Sequence, residues 1–206
     1  APRIPGVEAP AVTNQVPLSR LTNMSFARDG ATASNNDERL LAGLVSITPD
    51  YFRALGVRIL SGRSITSEEI GISGRDTMPR AVVINASAAE LFWPGQDPIG
   101  RHLKLLGSIP LTVVGVAEDT KHESVRDVPQ PVVFVPLRTS RGVSLVVRSH
   151  TPAEALPALR RAVAALDPEL PLRDARLVSG QLDAALMPQR FGTMLLGLFS
   201  VIALCI

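Results

Sequence analysis

The sequence predicts an α+β fold in which a β-rich middle is flanked by βαβ material and followed by the start of an apolar helix. Three observations carry this expectation. Short β-branched runs recur between residues 40 and 137, separated by turn dipeptides. An amphipathic pattern over residues 152–166 sits between two strand-like runs. Residues 191–206 carry no charge and no polar stripe. The 206 residues suffice for one ordinary domain or two small ones, and 46% apolar composition excludes wholesale disorder.

Along the chain, Val7 to Val16 reads as a strand after the turn pair Pro5-Gly6, and residues 28–38 read as a polar loop. Leu40 to Ile47 is a second strand. Thr48 to Gly56 predicts a short helix, with Thr48 accepting from the first-turn amides, Pro49 at the first helical position and Asp50 at the positive end. Gly56 supplies the left-handed stop. Val57 to Leu60 continues as a strand and Ser61-Gly62 as a turn. Ala81 to Ile84 is an apolar strand, Asn85 caps a helix from Ala86 to Phe92, and Trp93-Pro94-Gly95 ends it. After the turn Asp97-Pro98-Ile99-Gly100, strands are expected at His102 to Leu106, Leu111 to Ala117 and Val132 to Leu137.

Val143 to Arg148, the helix 152–166 and Leu172 to Val178 make a βαβ unit of right-handed crossover, with Leu156, Leu159, Val163 and Leu166 on one helical stripe. Ser179 caps a last helix. Residues 1–16 look like the exit from a helix into a strand. That suggests a first strand without its crossover partner, an open sheet edge, and Val7 and Val12 short of cover. The absence of an initiating Met and of a signal-like segment suggests a piece of a longer protein. A membrane helix needs roughly 20 apolar residues. The sixteen of Phe191 to Ile206 therefore read as a truncated transmembrane helix starting near Arg190, with a buried C-terminal helix as the alternative.

Composition and motifs exclude several function classes. The net charge of +2 and scattered arginines offer no field for nucleic acid, and the aromatic content of 4% offers no stacking surface. A single cysteine, Cys205, allows no intrachain disulfide and no cysteine zinc site. There is no phosphate-binding loop ending in Gly-Lys-Ser/Thr, and lysine occurs only at Lys104 and Lys121. Gly71-Ile72-Ser73-Gly74 reads as a turn, and no serine stands in a nucleophile elbow. His102, His122 and His150 are too far apart in sequence for a helical zinc pair. The best acid–base or metal candidate is Glu118, Asp119, His122 and Glu123, whose ordinary reading is a solvated loop. Arg160-Arg161 reads as the wet face of its helix. No catalytic, cofactor-binding or metal residue is assigned.

Four runs then stand in order: Val45-Ser46-Ile47-Thr48-Pro49-Asp50-Tyr51-Phe52-Arg53-Ala54-Leu55-Gly56 with Leu60-Ser61-Gly62-Arg63; Val83-Ile84-Asn85 through Leu91-Phe92-Trp93-Pro94-Gly95-Gln96-Asp97-Pro98-Ile99-Gly100-Arg101; Val113-Val114-Gly115-Val116-Ala117-Glu118-Asp119 with Val135-Pro136-Leu137; and Gln189-Arg190-Phe191 opening the apolar segment. Together they resemble the extracytoplasmic (MacB-like periplasmic) core domain of MacB/FtsX-type ABC transporter permeases, and most closely the duplicated orphan permeases. The resemblance implies a Porter-like βαβ subdomain, residues 1–45 and 141–187, with an inserted β-rich Sabre-like subdomain, residues 46–140. Residues 188–206 would then begin a transmembrane helix.

The resemblance further implies a bacterial inner-membrane protein with residues 1–187 on the periplasmic side and no catalysis in this segment. A separate cytoplasmic ATPase would drive the membrane helices, and the domain would pass their movement outward. Expected partners are membrane lipid through the C-terminal helix, the ATPase subunit, and a periplasmic adaptor or second permease copy, with no nucleic acid. The alternatives from other classes are a membrane-tethered hydrolase or metal-dependent enzyme using the 118–123 loop, and a membrane-anchored interaction module.

Overall fold

Aliphatic and β-branched side chains alternate with polar ones along most of the β-rich region, and each alternating run becomes a strand with one buried face. The computed structural model describes residues 7–15, 21–29, 40–70, 80–106, 108–120, 129–138 and 142–166. Within them the strands are β1 (Val7–Thr13), β2 (Asn23–Arg28), β3 (Leu40–Ile47), β4 (Ile59–Gly62), β5 (Arg80–Asn85), β6 (His102–Leu105), β7 (Ile109–Ala117), β8 (Val132–Pro136) and β9 (Ser144–Ser149). The helices are α1 (Tyr51–Leu55), α2 (Ala86–Phe92) and α3 (Pro152–Leu166), and a 3-10 turn covers Ser67–Glu69.

Strand pairing closes on itself. β2 pairs with β3, β3 with β8, β8 with β5, β5 with β7, β7 with β6, and β6 again with β2. This circuit of six strands is a barrel, with β3–β8 and β5–β7 parallel and the other contacts antiparallel. Two strands serve two partners in tandem on one edge. β3 pairs with β2 through Leu40–Gly43 and then with β1 at Ile47. β7 pairs with β6 through Ile109–Thr112 and then with β4 through Gly115–Ala117. β9 lies antiparallel on the far side of β1, forming a two-stranded ribbon that leaves the barrel at β3.

All six barrel strands contribute to one buried cluster, which is therefore the barrel interior: Phe26, Ala42, Val82, Ile84, Leu103, Leu105, Leu111, Val113 and Val133. Helix α2 adds Ala88 and Phe92, and the Phe92 ring meets Phe26 edge-on with centroids 5.9 Å apart. A second cluster lies outside, where α1 and the ribbon cover β3 and β8. Its centre is Tyr51, Phe52 and Phe134, with Phe52 and Phe134 at 5.0 Å in a T-shaped contact. Burial pushes the Tyr51 hydroxyl well above its ordinary pKa. Each aromatic buried here contributes about 1.5–3 kcal/mol from transfer, and each edge-on pair about 0.5–1.5 kcal/mol more.

Several expectations are corrected. The first strand stops at Thr13, whose hydroxyl accepts from the Gln15 amide and donates to the Gln15 carbonyl, folding the chain locally out of the ladder. β1 is paired with β9 along its length on one edge and meets β3 only at its Thr13 end on the other, and Val7 and Val12 are half-buried. β2 was not expected, because only Phe26 in it is fully buried and its polar residues mask the alternation. The expected loop begins inside its last residue, Arg28, and residues 30–39 lie outside those described. Asp50 occupies the N-cap of α1 and makes no side-chain cap bond. Thr48 instead uses its hydroxyl to accept from the Val12 amide.

β4 begins at Ile59, and Gly62 sits within it as a left-handed residue next to a register shift. The register shift leaves Leu60 as the extra residue, Gly62 pairs with Gly115, and Ser61-Gly62 makes no turn. Asn85, Gly56 and the turn through Gly100 stand as expected. α3 spans the expected residues, with Ala155 buried, Leu156, Leu159 and Val163 half-buried, and Arg160 and Arg161 exposed. The expected strand 172–178, the helix after Ser179 and the apolar tail lie outside the described residues. Among the described residues, no helix is long and apolar enough to cross a membrane.

Two glycines rank differently despite equal backbone angles of +71°. A Cβ on Gly62 would lie 2.2 Å from the Val114 carbonyl oxygen and 2.9 Å from the Gly115 Cα, both fixed backbone atoms. A Cβ on Gly56 would meet Arg148 Nη2 at 2.2 Å, the far end of a long side chain that can swing away. Gly56→Ala should therefore cost about 1 kcal/mol and Gly62→Ala roughly 2–4 kcal/mol, read by thermal denaturation. Equal losses would show that β4 slides freely over β7.

Candidate functional site

The chemistry singled out in the sequence lies where β5 and β7, running parallel, end side by side at Asn85 and Ala117. Asn85 is fully buried and all its polar atoms are occupied. Its Oδ1 accepts from the Ala88 amide at 3.0 Å and from the Val132 amide at 2.8 Å, and its Nδ2 donates to the Gln130 carbonyl at 2.8 Å. One side chain thus caps α2 and fixes the entry to β8.

Glu118 and Asp119 follow β7 directly and turn to different partners. Glu118 accepts from the Arg58 amide at 3.0 Å and from Arg58 Nε at 2.9 Å. The Arg58 amide, and next the Arg58 guanidinium, hold the Glu118 carboxyl below its usual pKa. Asp119 accepts from the Ser87 amide at 3.0 Å and from the Ser87 hydroxyl at 2.8 Å, tying the loop to the first turn of α2. Adjacent residues of extended chain project to opposite sides, so the two carboxylates do not converge.

His122 and Glu123 lie outside the described residues. Among the described residues, no three His, Cys, Asp or Glu side chains are grouped to hold a metal ion. His102 contacts Thr112 Oγ1 at 3.1 Å on the barrel, and His150 pairs with Glu8 at 2.6 Å on the ribbon, so neither joins the carboxylates. Gly71 and Gly74 also fall outside the described residues. What the 118–119 pair does chemically is hold backbone donors: it anchors the exit of β7 to β4 on one side and to α2 on the other.

Sequence reasoning found the cap role of Asn85 and missed its bond to Val132, which lies 47 positions away and leaves no local signal.

Comparison with known proteins decides the family. Residues 1–166 match the model of the family described as the MacB-like periplasmic core domain. The chain belongs to this family. It is 36% identical over 75 residues to the macrolide export ATP-binding/permease protein MacB of Hahella chejuensis, covering 36% of this chain and 11% of that protein. It is 23% identical over 145 residues to the uncharacterized ABC transporter permease YvrN of Bacillus subtilis, covering 66% of this chain and 34% of that protein. Its fold is similar to the crystal structure of the periplasmic region of MacB from Actinobacillus actinomycetemcomitans, with a TM-score of 0.53 at 16% identity over 79% of this chain and 68% of that one.

The chain thus spans about a tenth and a third of the two curated relatives. Membership makes it the periplasmic domain of a MacB-like ABC transporter permease, an extracytoplasmic segment of a membrane protein.

Asn85→Ala should destabilise this MacB-like domain by about 3 kcal/mol or more, because it strands two buried amides and one carbonyl together. Ser87→Ala, which removes one hydroxyl at the partly exposed Asp119 contact, should cost about 1 kcal/mol. Chemical denaturation of both variants checks the order, and a smaller loss in Asn85→Ala would show that water replaces its bonds.

Proposed function

We propose that this domain is a non-catalytic transmission element: it receives ATPase-driven movement of membrane helices and passes it to the periplasmic side for export or mechanotransmission. The observation that carries this reading is the antiparallel β1–β9 ribbon, in which Val7 faces Ser149 across the ladder. The first and last described strands therefore present their outer ends side by side. Displacement applied there enters one hydrogen-bonded ladder and reaches the barrel through β3. The Glu8–His150 contact of 2.6 Å ties the same ends together through side chains.

In this reading residues 1–45 and 141–187 form the Porter-like part and residues 46–140 the Sabre-like part, with β3 running across the boundary. Residues 188–206 begin the membrane helix and meet lipid. A cytoplasmic ATPase subunit supplies the movement, and a periplasmic adaptor or second permease copy receives it. The absence of catalysis is supported by the engagement of Glu118 and Asp119 with structural donors, which leaves the hydrolase and metal-enzyme alternative without converging groups among the described residues.

The test is hydrogen exchange of β1 and β9 in the full-length permease assembled with its ATPase, compared with and without trapped nucleotide. Transmission predicts a nucleotide-dependent change in both strands. Identical exchange in the two states contradicts it, and ATP turnover by the isolated chain would contradict a non-catalytic role.

A further inference from the structure

The joint between ribbon and barrel is one residue pair long. Thr13 faces Ile47, and no second Cα pair joins β1 to β3. In an ordinary antiparallel ladder the pairs on either side would each exchange two backbone bonds. Here each flanking pair makes one. The Thr48 amide donates to the Val12 carbonyl at 3.0 Å, and the Asn14 amide donates to the Ser46 carbonyl at 3.1 Å.

The two reciprocal bonds are made by side chains. The Val12 amide donates to Thr48 Oγ1 at 2.8 Å, and the Ser46 amide donates to Asn14 Oδ1 at 2.7 Å. The substitution at Thr48 has a physical cause. Its carbonyl has already turned away to accept from the Tyr51 amide at 3.0 Å, which starts α1. A hydroxyl on the same residue restores the missing acceptor and lets the chain leave the ladder at once. Asn14 does the same where β1 bends out of the sheet, its amide oxygen standing in for a main-chain carbonyl.

We propose that Asn14 and Thr48 are positioning residues forming a side-chain clasp, which makes the ribbon and the barrel move as one body. The inference rests on the transmission reading above, since a domain that relays displacement needs a stiff joint where its ladder is shortest. The clasp works alongside the packing of α1 on the ribbon and the bond from Arg148 Nε to the Ala54 carbonyl at 3.1 Å, neither of which replaces the two acceptors.

The experiment compares Thr48→Val with Thr48→Ser, and Asn14→Leu with Asn14→Asp, in the full chain. Valine keeps the shape of threonine without its acceptor, whereas serine and aspartate keep an acceptor oxygen. The first readout is amide exchange. Val12 in Thr48→Val and Ser46 in Asn14→Leu should exchange roughly tenfold faster, while Val83 and Val113 in the barrel stay unchanged and the Ser and Asp variants return to the parent rate. The second is the spread of distances between spin labels at the exposed positions Leu145 on β9 and Leu41 on β3, which should broaden in Thr48→Val and narrow again in Thr48→Ser.

Unaltered Val12 exchange, or equal acceleration of Val83 and Val113, overturns the clasp and leaves the transmission reading untouched. Faster Val12 exchange, combined with an unaltered nucleotide response of the barrel in the full-length Thr48→Val permease, overturns the transmission reading instead.

Discussion

The arrangement depends on β3, eight residues whose two edges must satisfy three other strands. One edge takes β8 in parallel from Gly43 to Ile47, and the other is divided between β2 and β1. Backbone donors and acceptors on a buried strand have to be paired, so the division of that edge is a strict constraint. It requires β1 to finish where β2 begins, and Gln15 Nε2 donates to Thr22 Oγ1 at 3.0 Å across that gap. The same strand places Ala42 in the barrel interior and Val45 and Ile47 in the outer cluster. Both cores therefore hang on a single element.

β7 solves a similar problem at the other side of the barrel. Its outer edge passes from β6 to β4 through a bulge at Val114, whose carbonyl accepts from the Arg63 amide at 2.9 Å. β4 runs so close to β7 here that residues 62 and 115 must both be glycine: a Cβ on Gly115 would stand 2.1 Å from the Arg63 carbonyl oxygen. The glycines within the first and third family-like runs thus have a steric reason in this structure. Strand partners are changed in mid-edge twice, and each time a local device fills the gap: side-chain acceptors on β3, a bulge on β7.

Legibility in the sequence followed the range of the interaction. Asn85 as a helix cap, Gly56 as a stop and α3 from its apolar stripe are consequences of neighbours within a few positions, and each stands as expected. Barrel closure was unreadable because it depends on β2 meeting β6 at Phe26 and Leu105, nearly eighty positions apart. β2 itself carries too few buried positions to declare its period. Thr48 misled for a different reason. A threonine before a proline-led helix has the signature of a cap, yet its hydroxyl found a better donor across the sheet in Val12. Glu118 and Asp119 were singled out for their charge, and their neighbours in space turned that charge to holding backbone.

In the proposed transmission role these structural devices take on a mechanical meaning. A ribbon with both outer ends at one side, joined to a closed barrel through one strand, is a lever only if the two parts yield together. Native-state hydrogen exchange of the unaltered chain under increasing denaturant measures this directly. If ribbon and barrel yield together, ribbon amides such as Ala11 and Val146 and barrel amides such as Val45, Val83 and Val113 converge on one unfolding isotherm. A separate isotherm, with the ribbon opening at lower free energy while the barrel stays closed, would contradict it.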